Sequence, residues 1–570
     1  MNKTLMVNRL KKLAFDIDMY ANSPTISVKV AEDFSDRSWV IIKELTPYIS
    51  DPHLAYIAGA AAEICCRYSS VLEQWQRLMH AGLILVSVGQ LYQMDHARDG
   101  DRYPVNHTKS LRYYIDDICY SFHKNRTPLA ISQTVETSFG SNFRTAQVMG
   151  LLNSLDGDLG KNFTDQVNRY FLEGFENAVP TTASLAPTEA RWQSICIGVE
   201  AALNTNDILR QWALSRGYLA ETPLLAASTG SPVIFLAASN PGGAAIYFHG
   251  GQDWSQEPFS IDLSKLTKEY VTRVCQAMEA SPSRMEINAI LEDVAKVVFE
   301  PMRDVLAKND NVIFVPVGEC LRLPLTAALA AGDIDSLTVT VVPSPGLCII
   351  PALSSAIPYS PVVVIADPSK GKNYIPLVEK EARRVSSVWL KDPDFLVRGP
   401  WIPSTQKSDR MRVIKHLPNH FTSPSKVISR ISNAGLVHLA CHGWIDHEGD
   451  LDPYLLVKGV IPLSSFDSRH VRMGSTYVLS ACFAGGSAQS NPIEHVGFPA
   501  MLLSAGAGKV IASIYPVPDT FETVAFMEKI HYYLNVGFSP ASALRNSMTW
   551  AKKVSLSFSV WAGFQCYGTP

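Results

Sequence analysis

The chain has no apolar run long enough to cross a bilayer: its most hydrophobic helix-like stretch, Ala81 to Leu91, falls well short of the ~20 residues a span requires. The opening residues, Met1-Asn2-Lys3-Thr4-Leu5-Met6, lead into Lys11-Lys12 and Asp16 without the apolar core of a signal peptide. Charge is sparse and balanced, with 18% charged residues and a net charge of −3, so no general attraction to nucleic acid or to an anionic membrane is expected. The ten cysteines share no repeated spacing, which argues against a disulfide framework and fits a reducing cytoplasm. The glycine pairs Gly242-Gly243, Gly250-Gly251 and Gly485-Gly486 match neither a P-loop nor a dinucleotide fingerprint, so no cofactor is expected. What remains is a globular chain, 47% hydrophobic and, at 570 residues, too long for a single core.

Two textures divide it. In residues 1–222 the segments Ala55 to Leu78, Ser110 to His123 and Thr164 to Glu176 repeat apolar residues at three- and four-residue spacing. Asp51-Pro52, Asp99-Gly100-Asp101 and Asp156-Gly157-Asp158 punctuate them. This part reads as all-α. No two stretches match the 34-residue tetratricopeptide pattern well, which leaves at most a degenerate TPR-like repeat. Trp39, Trp75, Trp192 and Trp212 read as core anchors.

From about residue 229 to 570 strands and helices alternate. Strands are expected at Pro232 to Ala237, Ala244 to His249, Asn311 to Pro316, Leu337 to Val342, Val362 to Ala366, Leu436 to Ala440, Thr476 to Leu479 and Lys509 to Ile514. Helices are expected near Leu263 to Ala280, Arg284 to Lys308, Tyr374 to Leu390, Ser423 to Asn433, His495 to Ala505, Thr520 to Leu534 and Pro540 to Val554. Near-continuous apolar strands joined by helices make an α/β unit with a mostly parallel sheet covered on both faces.

Two of those strands end in reactive side chains. Val437-His438-Leu439-Ala440-Cys441 runs into His442-Gly443, and Tyr477-Val478-Leu479-Ser480-Ala481 runs into Cys482, with Gly485-Gly486 just after. As parallel neighbours the strands would bring His442 and Cys482 together at one sheet edge, where open α/β sheets bind ligands. An imidazole beside a thiol generates the thiolate that acts as a nucleophile. Gly443 lets a substrate carbonyl approach its backbone N–H, which with the N–H of Cys482 would form an oxyanion hole. His438, Cys441, His442 and His447 carry zinc-type side chains, but their spacing fits no structural zinc pattern, and no metal is expected. His438 reads as a buried, hydrogen-bonded core residue.

His-Gly after one strand and Ala-Cys after the next resembles the signature of caspase-like (clan CD) cysteine proteases. The wider set is similar to the CHAT family within that clan: Leu323-Pro324-Leu325 with Ala327-Ala328, Val342-Pro343-Ser344, Ala366-Asp367-Pro368, Val437 to Gly443, Leu479 to Cys482, Ser504-Ala505-Gly506-Ala507, Val510 to Asp519, and Trp561-Ala562-Gly563-Phe564 through Gly568. Two positions depart from that pattern. Phe483-Ala484 stands where a polar pair such as Glu-Thr is usual, and Tyr515 stands where tryptophan is usual. Both bear on the shape of the substrate pocket.

The resemblance implies a caspase-like three-layer α/β/α sandwich over 229–570, with Cys482 as nucleophile and His442 as general base and then acid. It implies a cysteine endopeptidase making regulated, limited cuts in a partner protein, in a prokaryotic defence, cell-death or signalling pathway. The alternative is a catalytically silent scaffold that keeps the fold. The helical residues 1–222 are then the binding place for a protein activator or regulator, and Ile445 to Asp452, with its run of acids, is the loop expected to order on activation. Asp446 in that loop is a candidate substrate contact. Asp519 has two readings: the N-cap of the following helix, with Glu522 at N3, or, by similarity to separases, a buried carboxylate in the pocket for a basic residue before the scissile bond.

Overall fold

Runs of β-branched and other apolar residues form most of the strands of a ten-stranded sheet, because such side chains pack well on a pleated surface buried on both faces. The computed structural model describes residues 3–21, 27–46, 52–85, 105–128, 189–205, 220–280, 283–332, 337–353, 361–367, 374–390, 424–444, 454–457, 460–462, 470–486 and 497–570, with isolated positions between them. In chain order the strands are β1 (Val233–Ala238), β2 (Gly243–Phe248), β3 (Phe259–Leu263), β4 (Asn311–Pro316), β5 (Thr338–Val341), β6 (Val362–Ala366), β7 (Leu436–Ala440), β8 (His442–Trp444), β9 (Tyr454–Leu456), β10 (Val460–Pro462), β11 (Thr476–Ser480), β12 (Lys509–Ser513) and β13 (Phe564–Gly568). The large sheet has the order β3-β2-β1-β4-β5-β13-β12-β11-β7-β6, and β8–β10 form a small sheet of their own. Neighbours in the large sheet are parallel except β1–β2, β2–β3 and β12–β13. Helices flank it, among them Glu221–Thr229, Arg284–Val294, Val378–Leu390, Phe521–Asn535 and Pro540–Lys553, giving the three-layer α/β architecture.

Three local features differ from the sequence expectation. The single helix expected over 284–308 is broken into Arg284–Val294, a π-turn at Ala295–Phe299, a 3-10 turn at Glu300–Met302 and a last turn at Arg303–Leu306. Pro301 explains the break, since it cannot donate to the i−4 carbonyl and its ring clashes with it. The helix expected from Leu263 begins at Lys268 under a Thr267 cap, because Leu263 closes the edge strand β3. The strand β13, antiparallel to β12 and parallel to β5 in the middle of the sheet, is the third.

Among the described residues the N-terminal half is helical: Lys3–Ala21, Val28–Leu45, Pro52–Val71, 75–85, Val105–Lys124 and Glu189–Leu203. Thr164 to Glu176 and Trp212 lie outside the described residues. Trp192 is buried, while Trp39 and Trp75 are partly buried against the core. The buried apolar side chains form one contiguous cluster that runs from these helices into the sheet. The helix Glu221–Thr229 occupies the change of texture and is itself largely buried.

Polar groups clamp the helices to the sheet. Asp117 accepts from Ser239 Oγ at the end of β1 (2.6 Å), from Ser70 Oγ (2.9 Å) and from Lys268 Nζ (3.0 Å). Trp192 Nε1–H donates to the carbonyl of Ser255 (2.8 Å), and His123 Nδ1 sits 2.9 Å from Ser260 Oγ on β3. The neighbouring Asp116 is buried against the backbone of Gly318, where a Cβ would lie 2.3 Å from Asp116 Oδ1; Gly318 also has φ +55°, a conformation that favours glycine. Burial, opposed by Lys268 and reinforced by the charges of Glu319 and Asp117, pushes the Asp116 carboxyl up to about 8.

That shift has a signed consequence. An unfolded aspartate releases its proton near pH ~4, so from there to about pH 8 the folded chain holds one proton more, and stability falls as pH rises through the window. The slope from this one group is at most about 1.4 kcal/mol per pH unit. Thermal unfolding followed by circular dichroism from about pH 6 to about pH 8.5 should show a falling midpoint, and Asp116→Asn, which keeps the shape without the titrating proton, should flatten it. Identical slopes in the two proteins would remove Asp116 from this account.

Candidate active site

Strand register brings His442 and Cys482 to adjacent strand ends. β7 and β11 are parallel neighbours, with Thr476 opposite Leu436 and Ser480 opposite Ala440. Two residues further along each chain stand His442 and Cys482. The pairing continues past the strands, as the Cys441 N–H donates to the Ser480 carbonyl at 3.3 Å. At the next step the backbones touch. A Cβ on Gly443 would lie 2.3 Å from the Cys482 carbonyl oxygen and 3.2 Å from Ala481 Cβ, so only glycine fits there. His442 does not leave the strand end as a loop residue. It opens β8, whose Gly443 pairs with Leu455 and whose Trp444 pairs with Tyr454, and is half-buried there.

The segment after Cys482 is stapled to the middle of the sheet. Phe483 adopts φ +55°, unusual for a residue with a side chain, and its N–H donates to the Tyr515 carbonyl at 3.3 Å. The Gly485 N–H donates to the Ser513 carbonyl at 2.7 Å, and Tyr567 OH donates to the Gly485 carbonyl at 2.8 Å. Tyr515 is buried, and its hydroxyl donates to the Arg322 carbonyl at 2.7 Å. That hydroxyl contact ties the segment following β12 to the 3-10 turn Gly318–Arg322, the turn on which Asp116 rests.

One contact of Cys482 carried no side-chain signal in the sequence. The Val517 N–H donates to Cys482 Sγ at 3.3 Å, and the sulfur lies 3.7 Å from the Val517 carbonyl. Pro516 and Pro518 on either side have no N–H, so Val517 supplies the one amide proton of this stretch. Burial pushes the Cys482 thiol above its ordinary range, while hydrogen bonds from Val517 and from its own backbone pull the other way. At neutral pH the sulfur in this arrangement is a thiol.

Asp519 lies two residues beyond Val517 and is exposed, so the buried carboxylate of the sequence reading is corrected. It accepts from the Leu377 N–H at 3.5 Å. The N-cap reading is corrected too: Thr520 caps the helix Phe521–Asn535 through Oγ1, which accepts from the Thr523 N–H at 3.3 Å. Glu522 accepts from the Ser557 N–H at 2.8 Å. Asp446 and the loop Ile445 to Asp452 lie outside the described residues, as does His447. His438 is fully buried in β7, with one ring nitrogen on Glu381 and the other on His531. Among the described residues no helix is long and apolar enough to cross a membrane.

Residues 288–569 match the family model of the CHAT domain. Two solved structures of the Saccharomyces cerevisiae separase–securin complex, at 3.0 and 2.6 Å, are similar to the chain at 11% identity each, with TM-scores of 0.46 and 0.43. They cover 99% and 100% of this chain, which in turn spans 52% of each of those chains, about half their length. No curated protein matches. Residues 288–569, which carry both His442 and Cys482, therefore belong to the CHAT domain family.

Proposed function

We propose that the chain is a cysteine endopeptidase that makes regulated, limited cuts in a partner protein. The observation that carries this reading is the placement of His442 and Cys482 at matching positions past the ends of two adjacent parallel strands. His442 takes the thiol proton, Cys482 Sγ attacks the peptide carbonyl, and the N–H groups of Gly443 and Cys482 receive the oxyanion. His442 then protonates the leaving amine, and water resolves the acyl-enzyme. The thiol rests on Val517, so catalysis requires the sulfur to turn from that amide toward His442. This is a latent arrangement, as an endopeptidase inside a cell demands.

Residues 1–222 direct and restrain the site in this reading and take no part in the chemistry. The support is a line of contacts from the helix Val105–Lys124 through Asp116, the turn Gly318–Arg322 and Tyr515 to Val517. A protein activator that binds the helices better in the active arrangement shifts the balance by its differential affinity. Asp519, exposed beside that segment, is a candidate contact for a basic substrate residue, and Asp446 is a second candidate. An exposed ion pair of this kind adds only about 0–1 kcal/mol. A defence, cell-death or signalling setting is the physiological proposal.

The full chain, incubated with a thiol-directed peptide probe in the presence of candidate activator proteins, should label at Cys482 and cleave a reporter. Cys482→Ala and His442→Ala should each lose cleavage by at least about 10³-fold, the double variant losing little more because the pair acts as a unit. Cleavage by Cys482→Ala at the wild-type rate would end the protease reading. A folded chain that neither labels nor cleaves under any condition would favour the silent scaffold.

Gly443→Ala tests the contact between the strand ends. The added methyl meets the Cys482 carbonyl, and overpacking of this kind costs about 1–3 kcal/mol. Urea denaturation should show that loss, with cleavage falling at least about 100-fold as the oxyanion donor moves. Unchanged stability and cleavage would mean that the two strand ends are not held together as described.

A further inference from the structure

Behind the site lies a buried chain of four polar side chains that the cysteine–histidine chemistry does not use. Trp389 Nε1 is 3.0 Å from His531 Nδ1, His531 Nε2 is 3.0 Å from His438 Nδ1, and His438 Nε2 is 3.0 Å from Glu381 Oε1. His438 and His531 are fully buried and Glu381 and Trp389 nearly so. The four come from three elements: Glu381 and Trp389 from the helix Val378–Leu390, His531 from the helix Phe521–Asn535, and His438 from the middle of β7.

One donor fixes every proton in the chain. An indole N–H can only donate, so His531 Nδ1 must accept. Burial, with His438 adding to it, pushes His531 well below its ordinary range, so its ring is neutral and carries its proton on Nε2. That proton goes to His438 Nδ1, which leaves the His438 proton on Nε2, pointing at Glu381. All three hydrogen bonds run in one direction, toward the carboxylate. The arrangement is fully paired, and a fully paired buried network specifies a unique geometry because each group left unpaired costs about 1–3 kcal/mol.

That geometry constrains one strand. β7 lies between β11 and the edge strand β6. A slip of β7 by one residue, about 3.3 Å, would carry His442 away from Cys482 and would also turn His438 to the opposite face of the sheet. We propose that Glu381, His438, His531 and Trp389 are positioning residues for His442: the proton-ordered chain locks β7 to the helical layer and so holds the general base level with the nucleophile. His438 stands four residues, roughly 13 Å, from His442, so the effect travels through the strand and not by contact. This inference rests on the His442–Cys482 pair proposed above.

The test uses the full chain and two readouts. The first is iodoacetamide alkylation at Cys482 in the presence of the candidate activator proteins, followed by peptide mass spectrometry. His442→Ala sets the scale, with alkylation expected at least about fivefold slower than wild type because the base is gone. Glu381→Ala should fall toward that rate, Glu381→Gln, which still offers His438 an acceptor, should stay within about twofold of wild type, and Glu381→Ala should add nothing in a His442→Ala background. The second is imidazole ¹⁵N NMR, which should find His438 and His531 both as neutral Nε2–H tautomers; Trp389→Phe, which removes the single fixed donor and leaves an aromatic ring, should mix them. If Glu381→Ala does not fold, Trp389→Phe carries both readouts, its alkylation falling with the loss of tautomer order. Wild-type alkylation in Glu381→Ala or in Trp389→Phe, with His442→Ala slow, overturns the positioning role alone. Equal rates in wild type and His442→Ala take down the dyad and this inference together, and an Nδ1–H or cationic His438 overturns the proton order.

Discussion

The contact between Gly443 and the Cys482 carbonyl is the constraint from which the site follows. Two parallel strands can end near one another at many offsets. Here the ladder runs on past Ser480 and Ala440 until backbone meets backbone, and the absence of a side chain at 443 is what allows it. This contact sets His442 and Cys482 level with one another at the two strand ends. The turn after Cys482 is held as tightly, by the bonds from Phe483 and Gly485 to β12 and its exit. The close backbone contacts are thus concentrated where His442 and Cys482 stand.

The parts of this arrangement that were legible in the sequence are those that depend on short, local patterns. The apolar runs of β7, β11 and β12 announce buried strands, and the reactive residues at their ends stand out because nothing in a strand core calls for them. The edge strand β3 was hidden, since Phe259–Leu263 is short and partly exposed, and so was β13, whose place in the middle of the sheet is set by pairing with β12 and β5. The helix cap is Thr520, one residue beyond Asp519, a distinction that depends on backbone dihedrals and on which oxygen reaches the Thr523 N–H.

The network around His438 shows where sequence reading stops. That the residue is buried and bonded could be read from its place inside an apolar strand. Its partners could not, because Glu381 is 57 and His531 93 positions away, and neither sits in a pattern that marks it. The same holds for Asp116 and Gly318, which meet only because the helical half and the sheet share one core. Pairings of this length are decided by tertiary packing, and a helix face that carries a glutamate looks the same whether the glutamate is solvated or buried.

Val517 holds the resting thiol through main-chain atoms, between two prolines that can offer none of their own. The hold is therefore indifferent to what side chain occupies position 517. The Val517 side chain packs against the hydrophobic core, so a change there alters the packing beside the sulfur while the two main-chain contacts remain available. The prolines are the opposite case: replacing either restores a competing amide and loosens the path that aims the existing one. Side chain and main chain at position 517 thus have separate tasks, packing for the one and contact with the sulfur for the other.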